Sequence, residues 1–214
     1  MRDAKYRSIV SHYEGCLARH GDNHRGVDWP DADAAATRYK VMLELIREAD
    51  PTGLTLLDFG CGASHLYEFM RSSQWSGVQY VGLDLSKGFI ELSRRKYPHN
   101  EYHCLDILDV DCRLPTFDYV IMNGVLTEKV DLSYKEMLAY FKRLTQAVFR
   151  HAKKGVAFNV MSKYVDWERD DLFHCPVDVA AGHVSTKLSR DFVLRHDYGL
   201  YEYAVYAYRR PTGK

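Results

Sequence analysis

The chain of 214 residues has no excess of charge and no long apolar segment. Lysine plus arginine equals aspartate plus glutamate, at 29 each, so no net positive field is present to recruit nucleic acid or an anionic membrane. No window approaches the roughly 20 apolar residues of a membrane span, and the charged residues 1–10 do not fit a signal peptide. These absences predict a cytoplasmic protein without a nucleic-acid or membrane partner.

The sequence also lacks paired cysteines, repeats and linkers. Its five cysteines are odd in number and show no C-x-x-C spacing, so they are interpreted as free thiols. His174 and Cys175 are adjacent, but no second pair stands at metal-ligand spacing, and no metal site is predicted. Because no Pro/Gly/Ser-rich segment divides the chain, we expect one main core, with room for a small lid.

Short apolar segments alternate with amphipathic ones from about residue 52 onward, which is typical of a parallel α/β sheet with helices on its faces. Strands are predicted at residues 54–59, 80–84, 102–105, 117–122, 156–161, 192–195 and 201–208. Helices are predicted at 64–72, before Pro98 and at 134–153. A short turn separates the last two strands, so they should pair as a hairpin and give the sheet an antiparallel edge.

Two helical segments, residues 4–19 and 31–49, precede this pattern, and Pro30 is expected in the first turn of the second. We predict an N-terminal helical lid or cap over residues 1–50 and a ligand-binding domain over 51–214. The alternative, that the N-terminal region simply packs on the sheet, stays open.

A glycine-containing turn, Asp58-Phe59-Gly60-Cys61-Gly62, follows the first predicted strand. A dinucleotide site needs a small residue where His65 stands, so that the helix packs closely and meets the pyrophosphate. The carboxylate of Asp58 would also repel a pyrophosphate. It suits a ligand that carries positive charge, such as an α-ammonium group and a sulfonium.

Polar residues end the next three predicted strands. Asp84 is placed to accept both ribose hydroxyls of an adenosine, and Asp106 to accept from an adenine amino group with Ile107 against the ring. Asn123 and Gly124 should face the amino-acid end of the ligand. Polar residues at four strand ends indicate a ligand site more strongly than the glycines alone do.

Residues 56–62, 81–86 and 117–123 resemble the successive motifs of class I S-adenosylmethionine-dependent methyltransferases. The resemblance covers about residues 52–208. It implies a Rossmann-like α/β fold with a seven-stranded sheet, mostly parallel with an antiparallel C-terminal strand, and S-adenosylmethionine at the topological switch point. Ser64 stands where many members have a third glycine. The predicted cofactor-binding residues are Trp29, Arg38, Asp58, Gly60, Cys61, Gly62, Ser64, Asp84, Leu85, Asp106, Ile107, Asn123 and Gly124.

The resemblance determines the cofactor better than the reaction. Residues 161–167 and 171–183 lie where this family commonly builds its acceptor pocket. We predict an aromatic chamber over the sulfonium, since aromatic faces attract cations. Its members are Trp29, Tyr164, Trp167, Phe173 and Tyr198. The candidate catalytic residues are Asn123, Tyr164 and Tyr198.

Methyl transfer to a small-molecule acceptor is the leading hypothesis. Residues 26–30 and 196–202 are also similar to small methyltransferase-like proteins of biosynthetic clusters. Some of these, the azetidine-2-carboxylate synthases, imply a second hypothesis, in which S-adenosylmethionine cyclises and releases methylthioadenosine. A non-catalytic S-adenosylmethionine-binding protein is the third. The oligomeric state stays open.

Overall fold

Seven strands form one sheet in a computed structural model that describes residues 5–110 and 112–210. The described residues leave out parts of the two predicted domains, namely residues 1–4, 111 and 211–214. The start of the first predicted helix, at residue 4, therefore lies outside them. The strands are β1 (Thr55–Phe59), β2 (Gln79–Asp84), β3 (Glu101–Cys104), β4 (Phe117–Met122), β5 (Ala152–Met161), β6 (Phe192–Arg195) and β7 (Glu202–Tyr208). The helices are α1 (Arg7–His20), α2 (Ala32–Leu43), α3 (His65–Arg71), α4 (Lys87–Lys96), α5 (Tyr134–Phe149) and α6 (Val177–Lys187), with a short 3₁₀ turn at His24–Val27.

The sheet has the strand order β3-β2-β1-β4-β5-β7-β6. The first five strands are parallel, and β7 runs antiparallel to both β5 and β6. This confirms the predicted Rossmann-like fold and the C-terminal hairpin. Within that hairpin β7 is buried along its whole length, whereas β6 forms the partly exposed edge. The strand order reverses between β1 and β4, and ligands of open α/β sheets bind at the carboxyl ends of the strands at such a point.

Helices cover both faces of the sheet, as predicted. On one face α5 contributes Phe141 and Val148, and α6 contributes Val184. On the other face α2 and α3 bury apolar side chains that include Met42 and Met70. The helix α2 therefore belongs to the sheet's own core, whereas α1 lies at the carboxyl edge of the strands, where its tyrosines meet the loops after β3 and β4. Within the described residues, no helix is long and apolar enough to cross a membrane.

The helix α2 is shorter than predicted at both ends. Asp31 is its N-cap and accepts from the backbone N–H of Asp33 at 2.7 Å, so Pro30 precedes the cap and the prediction that it lies in the first turn was wrong. The helix ends at Leu43 and not near residue 49. The chain turns there and buries Leu45 and Ile46 against the sheet, which accounts for the apolar pattern beyond the helix.

The helix α5 begins as its sequence suggests but ends early. Ser133 and Glu136 form a reciprocal capping box at its start. It stops at Phe149, four residues before the predicted end, because Ala152 already pairs with Phe117 as the first residue of β5.

The helix α6 is missing from the sequence prediction. Its buried residues are Ala180, His183 and Val184, at helical spacing, but they comprise one small, one polar and one apolar side chain. Such a face carries a weak hydrophobic periodicity, and the period of apolar residues is the main signal for a helix.

Candidate functional site

A chamber lies at the carboxyl ends of β1, β2 and β4, beside the point where the strand order reverses; we call it the glycine-loop chamber. It brings together nine of the thirteen predicted cofactor-binding residues. These are Trp29, Asp58, Gly60, Cys61, Gly62, Asp84, Leu85, Asn123 and Gly124. The other four, Arg38, Ser64, Asp106 and Ile107, do not line it.

The backbone of the glycine loop is left-handed at three positions. Gly60 and Gly62 have φ values of 77° and 51°, a region that glycine adopts without steric cost. Ser64 has φ of 59°, where a residue with a Cβ loses about 1–2 kcal/mol. Its side chain is fully buried and its hydroxyl donates to the Tyr102 hydroxyl at 3.2 Å. Ser64 thus takes the glycine-like conformation while lying beneath the chamber and outside its lining.

Asp84 joins the end of β2 to the glycine loop. Its Oδ2 accepts from the backbone N–H of Gly62 at 2.9 Å, and its Oδ1 from that of Ser86 at 2.8 Å. Burial raises the pKa of Asp84, although these backbone donors act in the opposite direction. Each carboxylate oxygen has two lone pairs, so both can accept a further bond from the chamber.

Asp58 ends β1 as a buried carboxyl without a cationic partner among the described residues. Its side chain is 3% exposed and accepts from the Tyr80 hydroxyl at 2.7 Å. Burial, and after it the nearby charge of Asp84, raise the pKa of Asp58 to about 7. A cation in the chamber would stabilise the ionised form of this group.

Asn123 and Gly124 leave β4 at the neighbouring strand end. Within the described part of the chain, no donor reaches Asn123 Oδ1, although this atom is buried. Gly124 has φ of 79°, and a Cβ there would lie 2.8 Å from the Trp29 ring, so the position requires glycine. A buried acceptor without a partner is costly unless a ligand supplies the donor.

Asp106 is engaged by the N-terminal helix. It is 8% exposed, and it accepts from the Tyr6 hydroxyl at 2.6 Å and from the backbone N–H of Leu108 at 2.9 Å. Ile107 is buried in the core. Tyr6 lines the chamber in their place, so the predicted adenine acceptor is reached only if this tyrosine moves.

The helix α1 and its N-cap, Tyr6, supply chamber residues that the sequence interpretation missed. Tyr6, Ile9 and Tyr13 all line it. They stand at positions i, i+3 and i+7, which fall on one helical face, so the spacing was a usable signal. The Tyr13 hydroxyl donates to the carbonyl of Gly124 at 3.2 Å.

A buried polar chain reaches Arg38 from the same loop. The backbone N–H of Gly124 donates to Asn159 Oδ1 at 2.8 Å, and Asn159 Nδ2 donates to Glu202 Oε1 at 2.9 Å. Arg38 Nε donates to Glu202 Oε2 at 2.9 Å, and its guanidinium lies 4.1 Å from the centre of the Trp29 ring. Asn159 and Glu202 were not predicted, although Asn159 interrupts the apolar second half of β5 and Glu202 is the one charged residue of β7.

A second chamber shares the Trp29 ring with the first; we call it the side chamber. Its volume of about 290 Å³ exceeds the about 130 Å³ of the glycine-loop chamber. Its walls include Arg38, Glu128, Trp167 and Tyr201. Glu128 is 7% exposed, and burial followed by the charges of neighbouring acidic groups raises its pKa to about 7.

The structure does not form the predicted aromatic chamber. Tyr164 is 74% exposed and Tyr198 points its hydroxyl toward Glu202, so neither of these predicted catalytic residues lines either chamber. Phe173 is fully buried against Phe141 in the core. Of the five aromatic residues, Trp29 lines both chambers and Trp167 lines the side chamber. Asn123 is the one predicted catalytic residue that lines the glycine-loop chamber.

Three potential metal ligands, His12, Cys16 and Asp28, converge near the side chamber, with their ligand atoms within 4.8 Å of one another. His12 Nε2 and Asp28 Oδ2 are hydrogen-bonded at 2.7 Å, and Arg19 donates to Cys16 Sγ at 3.3 Å. Each of these groups already has a hydrogen-bond partner, so the cluster gives no reason to assign a metal ion.

The fold and the chamber define the class of protein: a Rossmann-like α/β domain with a chamber at its topological switch point. A family model described as a methyltransferase domain matches residues 57–155. The Mycobacterium tuberculosis protein Rv1506c, which carries a provisional methyltransferase name, is 22% identical over 168 residues, covering 76% of this chain and 96% of that protein.

Two solved structures share the fold. The magnesium protoporphyrin IX methyltransferase of Synechocystis PCC 6803, with bound S-adenosylmethionine, has a TM-score of 0.65 at 15% identity, and the match covers 98% of this chain and all of that one. Human N-acetylserotonin methyltransferase has a TM-score of 0.62 at 15% identity, covering 95% of this chain and 57% of that one. The family model, the relative and the solved structures therefore support the predicted class I S-adenosylmethionine-dependent methyltransferase family and its cofactor, and the shared fold is confirmed.

Proposed function

We propose that the glycine-loop chamber holds S-adenosylmethionine with its ribose on Asp84 and its amino-acid end between Asp58 and Asn123. The unpartnered Asn123 Oδ1 supports this orientation, since an ammonium group would supply the missing donor. Asp58 offers the opposite charge beside it. In this arrangement the part of the predicted lid that precedes α2, residues 5–29, would cover the ligand with Tyr6, Tyr13 and Trp29, whereas α2 packs in the core of the sheet.

The function that the geometry supports best is methyl transfer to a small-molecule acceptor. One observation carries it: the side chamber adjoins the glycine-loop chamber across Trp29 and provides a separate space for a second molecule. When bound, the cofactor supplies a methyl group on a positively charged sulfur. The chain has to orient the acceptor in line with that bond and to exclude water.

The reaction products test this function. Cyclisation of the cofactor needs no acceptor and would leave the side chamber without a role. Incubation with S-adenosylmethionine alone should give no turnover, and S-adenosylhomocysteine should form once an acceptor is added. Methylthioadenosine formed without an acceptor would instead establish the cyclase, and bound cofactor unchanged across acceptors would indicate a binding protein.

Asp84→Ala tests the cofactor's position. The change removes the charged acceptor for both ribose hydroxyls, so S-adenosylmethionine should bind more weakly by about 1.5–3 kcal/mol in calorimetry.

The matched control is Asp118→Ala. Asp118 also accepts from a backbone N–H, that of Thr55 at 2.9 Å, but it lies at the opposite end of β4. This variant should lose stability and keep its cofactor affinity. Equal cofactor affinities in both variants would mean that the ribose lies elsewhere.

A further inference from the structure

We infer that the side chamber takes an acceptor with a basic amine, which Glu128 binds as an ammonium ion and then deprotonates. The inference rests on the proposed methyl transfer and names the substrate class and the proton acceptor for it.

Among the charged residues that line the side chamber, Glu128 is the one without a hydrogen-bonded side-chain partner in the described structure. Of the others, Asp28 is hydrogen-bonded to His12 at 2.7 Å, and Arg38 is paired with Glu202. Arg169 is paired with Asp171. Asp166 lies at the exposed rim and accepts from the Tyr201 hydroxyl at 3.2 Å.

Glu128 differs from these groups because no described residue donates a hydrogen bond to its carboxylate. The residue is 7% exposed, but its carboxylate oxygens are not among the side-chain atoms that are buried without a partner, so they are reached from the chamber. A cation in the chamber would stabilise an ionised carboxylate placed there.

Glu128 also lies on the same loop as residues of the glycine-loop chamber. It follows Thr127, whose hydroxyl donates to the carbonyl of Gly124 at 2.8 Å. Gly124 lines the glycine-loop chamber, whereas Thr127 and Glu128 line the side chamber. One short loop after β4 therefore presents residues to both chambers, and a group held by Glu128 lies next to the cofactor.

The walls of the side chamber favour a cation. Trp167 and Tyr201 lie at its exposed rim, and aromatic side chains attract ammonium groups. A carboxylate-bearing acceptor would instead face repulsion from Glu128. Arg38 Nη1 is buried without a partner, and since Glu202 neutralises its guanidinium, it suits a neutral oxygen on the same acceptor.

The proton, the bonds and the charge of the transfer step are all accounted for by the acceptor, Glu128, the cofactor and water. The acceptor's ammonium gives one proton to the Glu128 carboxylate, which leaves a neutral amine with a free electron pair. The nitrogen–carbon bond forms as the sulfur–carbon bond breaks, so the positive charge passes from sulfur to nitrogen. Glu128 then returns its proton to water after the product leaves. This is general base catalysis by a carboxyl poised near neutral pH.

Three probes of equal size separate the possible acceptors: phenethylamine, 2-phenylethanol and phenylacetate. Their binding is followed by tryptophan fluorescence with S-adenosylhomocysteine present, since Trp29 and Trp167 line the chamber. We expect phenethylamine to bind at least about tenfold more tightly than the other two, a difference of about 1.4 kcal/mol. Tighter binding of phenylacetate would overturn the inference in favour of an anion held by Arg38.

Three variants test Glu128 itself. Glu128→Gln should lose at least about tenfold in phenethylamine affinity, and Glu128→Asp should recover part of it. Glu168→Gln changes an exposed carboxylate paired with Lys163 and should bind the probe as the natural chain does. Unchanged probe binding in Glu128→Gln would reject its role.

The pH dependence of probe binding separates a charge effect from a structural one. Glu128 is faced by His12 and Asp28 from the N-terminal segment and by Arg169 and Asp171 from the loop after β5. Because burial and these acids raise the pKa of Glu128 to about 7, phenethylamine affinity should rise from pH 6 to pH 8.

Glu128→Gln should abolish this rise, and His12→Gln should retain it. The opposite result would assign the effect to His12. Calorimetry with S-adenosylhomocysteine distinguishes the two proposals. A natural chain that does not bind S-adenosylhomocysteine would count against the cofactor site. Retained binding in the natural chain and in the variants, with failed probe discrimination, would count against the amine acceptor alone.

Discussion

Asp58 shows at the scale of one residue how a site can oppose the stability of its own fold. Its carboxyl is buried at the end of β1, and its one hydrogen-bond donor in the described structure is a neutral tyrosine hydroxyl. The pKa of about 7 means that the folded, ligand-free protein holds a proton that the unfolded chain releases near pH 4. The stability that this group contributes is therefore complete below pH 4 and is lost as the pH rises through 7.

Asp58→Asn removes this pH-dependent loss. The amide oxygen still accepts from Tyr80 and carries no charge, so at pH 8 the ligand-free variant should be more stable by about 2–4 kcal/mol. Chemical denaturation at pH 4 and pH 8 measures this, and the two proteins should agree at pH 4. The same variant should bind S-adenosylmethionine more weakly, because the ammonium loses its counter-charge. A variant less stable than the natural chain at pH 8 would contradict the buried, unpaired state of Asp58.

Some single residues of the site could be predicted from the sequence and others could not. Asp84 and Asn123 end strands of one parallel sheet, so strand periodicity alone brings them to one edge. Glu128 has no such local signal, and the charge of Glu202 in an apolar strand does not identify its partner. Glu202 bonds to Arg38, 164 residues away, and only the complete fold brings the two together.

At the scale of elements, α1 competes with the proposed ligand. The Tyr6 hydroxyl occupies Asp106 Oδ2, where an adenine amino group is expected, and its ring stacks on Tyr140 at 4.6 Å between centroids. If the proposed ligand binds here, it has to break or share this bond, and α1 would then be a lid held closed by the hydrogen bond from Tyr6 to Asp106.

Tyr6→Phe should raise the affinity for S-adenosylmethionine. The change removes the hydroxyl that competes for Asp106, so in the free protein Asp106 loses one hydrogen-bond donor. The binding free energy should become more favourable by about 1 kcal/mol, which lowers the dissociation constant roughly fivefold. Calorimetry measures the change. Tyr140→Phe is the control, because it keeps the stacking ring and leaves the Asp106 bond intact. If both variants bind alike, the Tyr6 hydroxyl does not compete with the ligand.

The elements themselves were predictable where their period was clear. Strands β1 to β4 lie within a residue or so of their predicted bounds. For β1, β2 and β4 the largely apolar runs mark strands that are buried on both faces, whereas β3 is short and partly exposed. Errors fall where tertiary packing overrides a local pattern: the turn after Leu43, the early start of β5 at Ala152, and the small and polar buried face of α6.

At the scale of the whole molecule, the polar chain from Gly124 through Asn159 and Glu202 to Arg38 joins the cofactor loop to the N-terminal segment. It links the loop after β4, the strands β5 and β7, and the helix α2, with Trp29 stacked on its end. Buried ion pairs seldom add net stability, but removing one partner leaves a desolvated charge. The pair therefore fixes the position of α2 and Trp29 relative to the sheet.

Glu202→Gln should destabilise the protein by about 3–5 kcal/mol, because the buried Arg38 guanidinium loses its counter-charge. The double variant Arg38→Met with Glu202→Leu removes both charges and should recover most of this loss, so the two changes are strongly non-additive in a double-mutant cycle. The double variant should still fold but should hold Trp29 less firmly, which fluorescence quenching of this residue would report in a Trp75→Phe, Trp167→Phe background. Additive changes in the free energy of unfolding would show that this pair does not couple the sheet to the N-terminal segment. The position of Trp29 would then be set by its packing against Gly124.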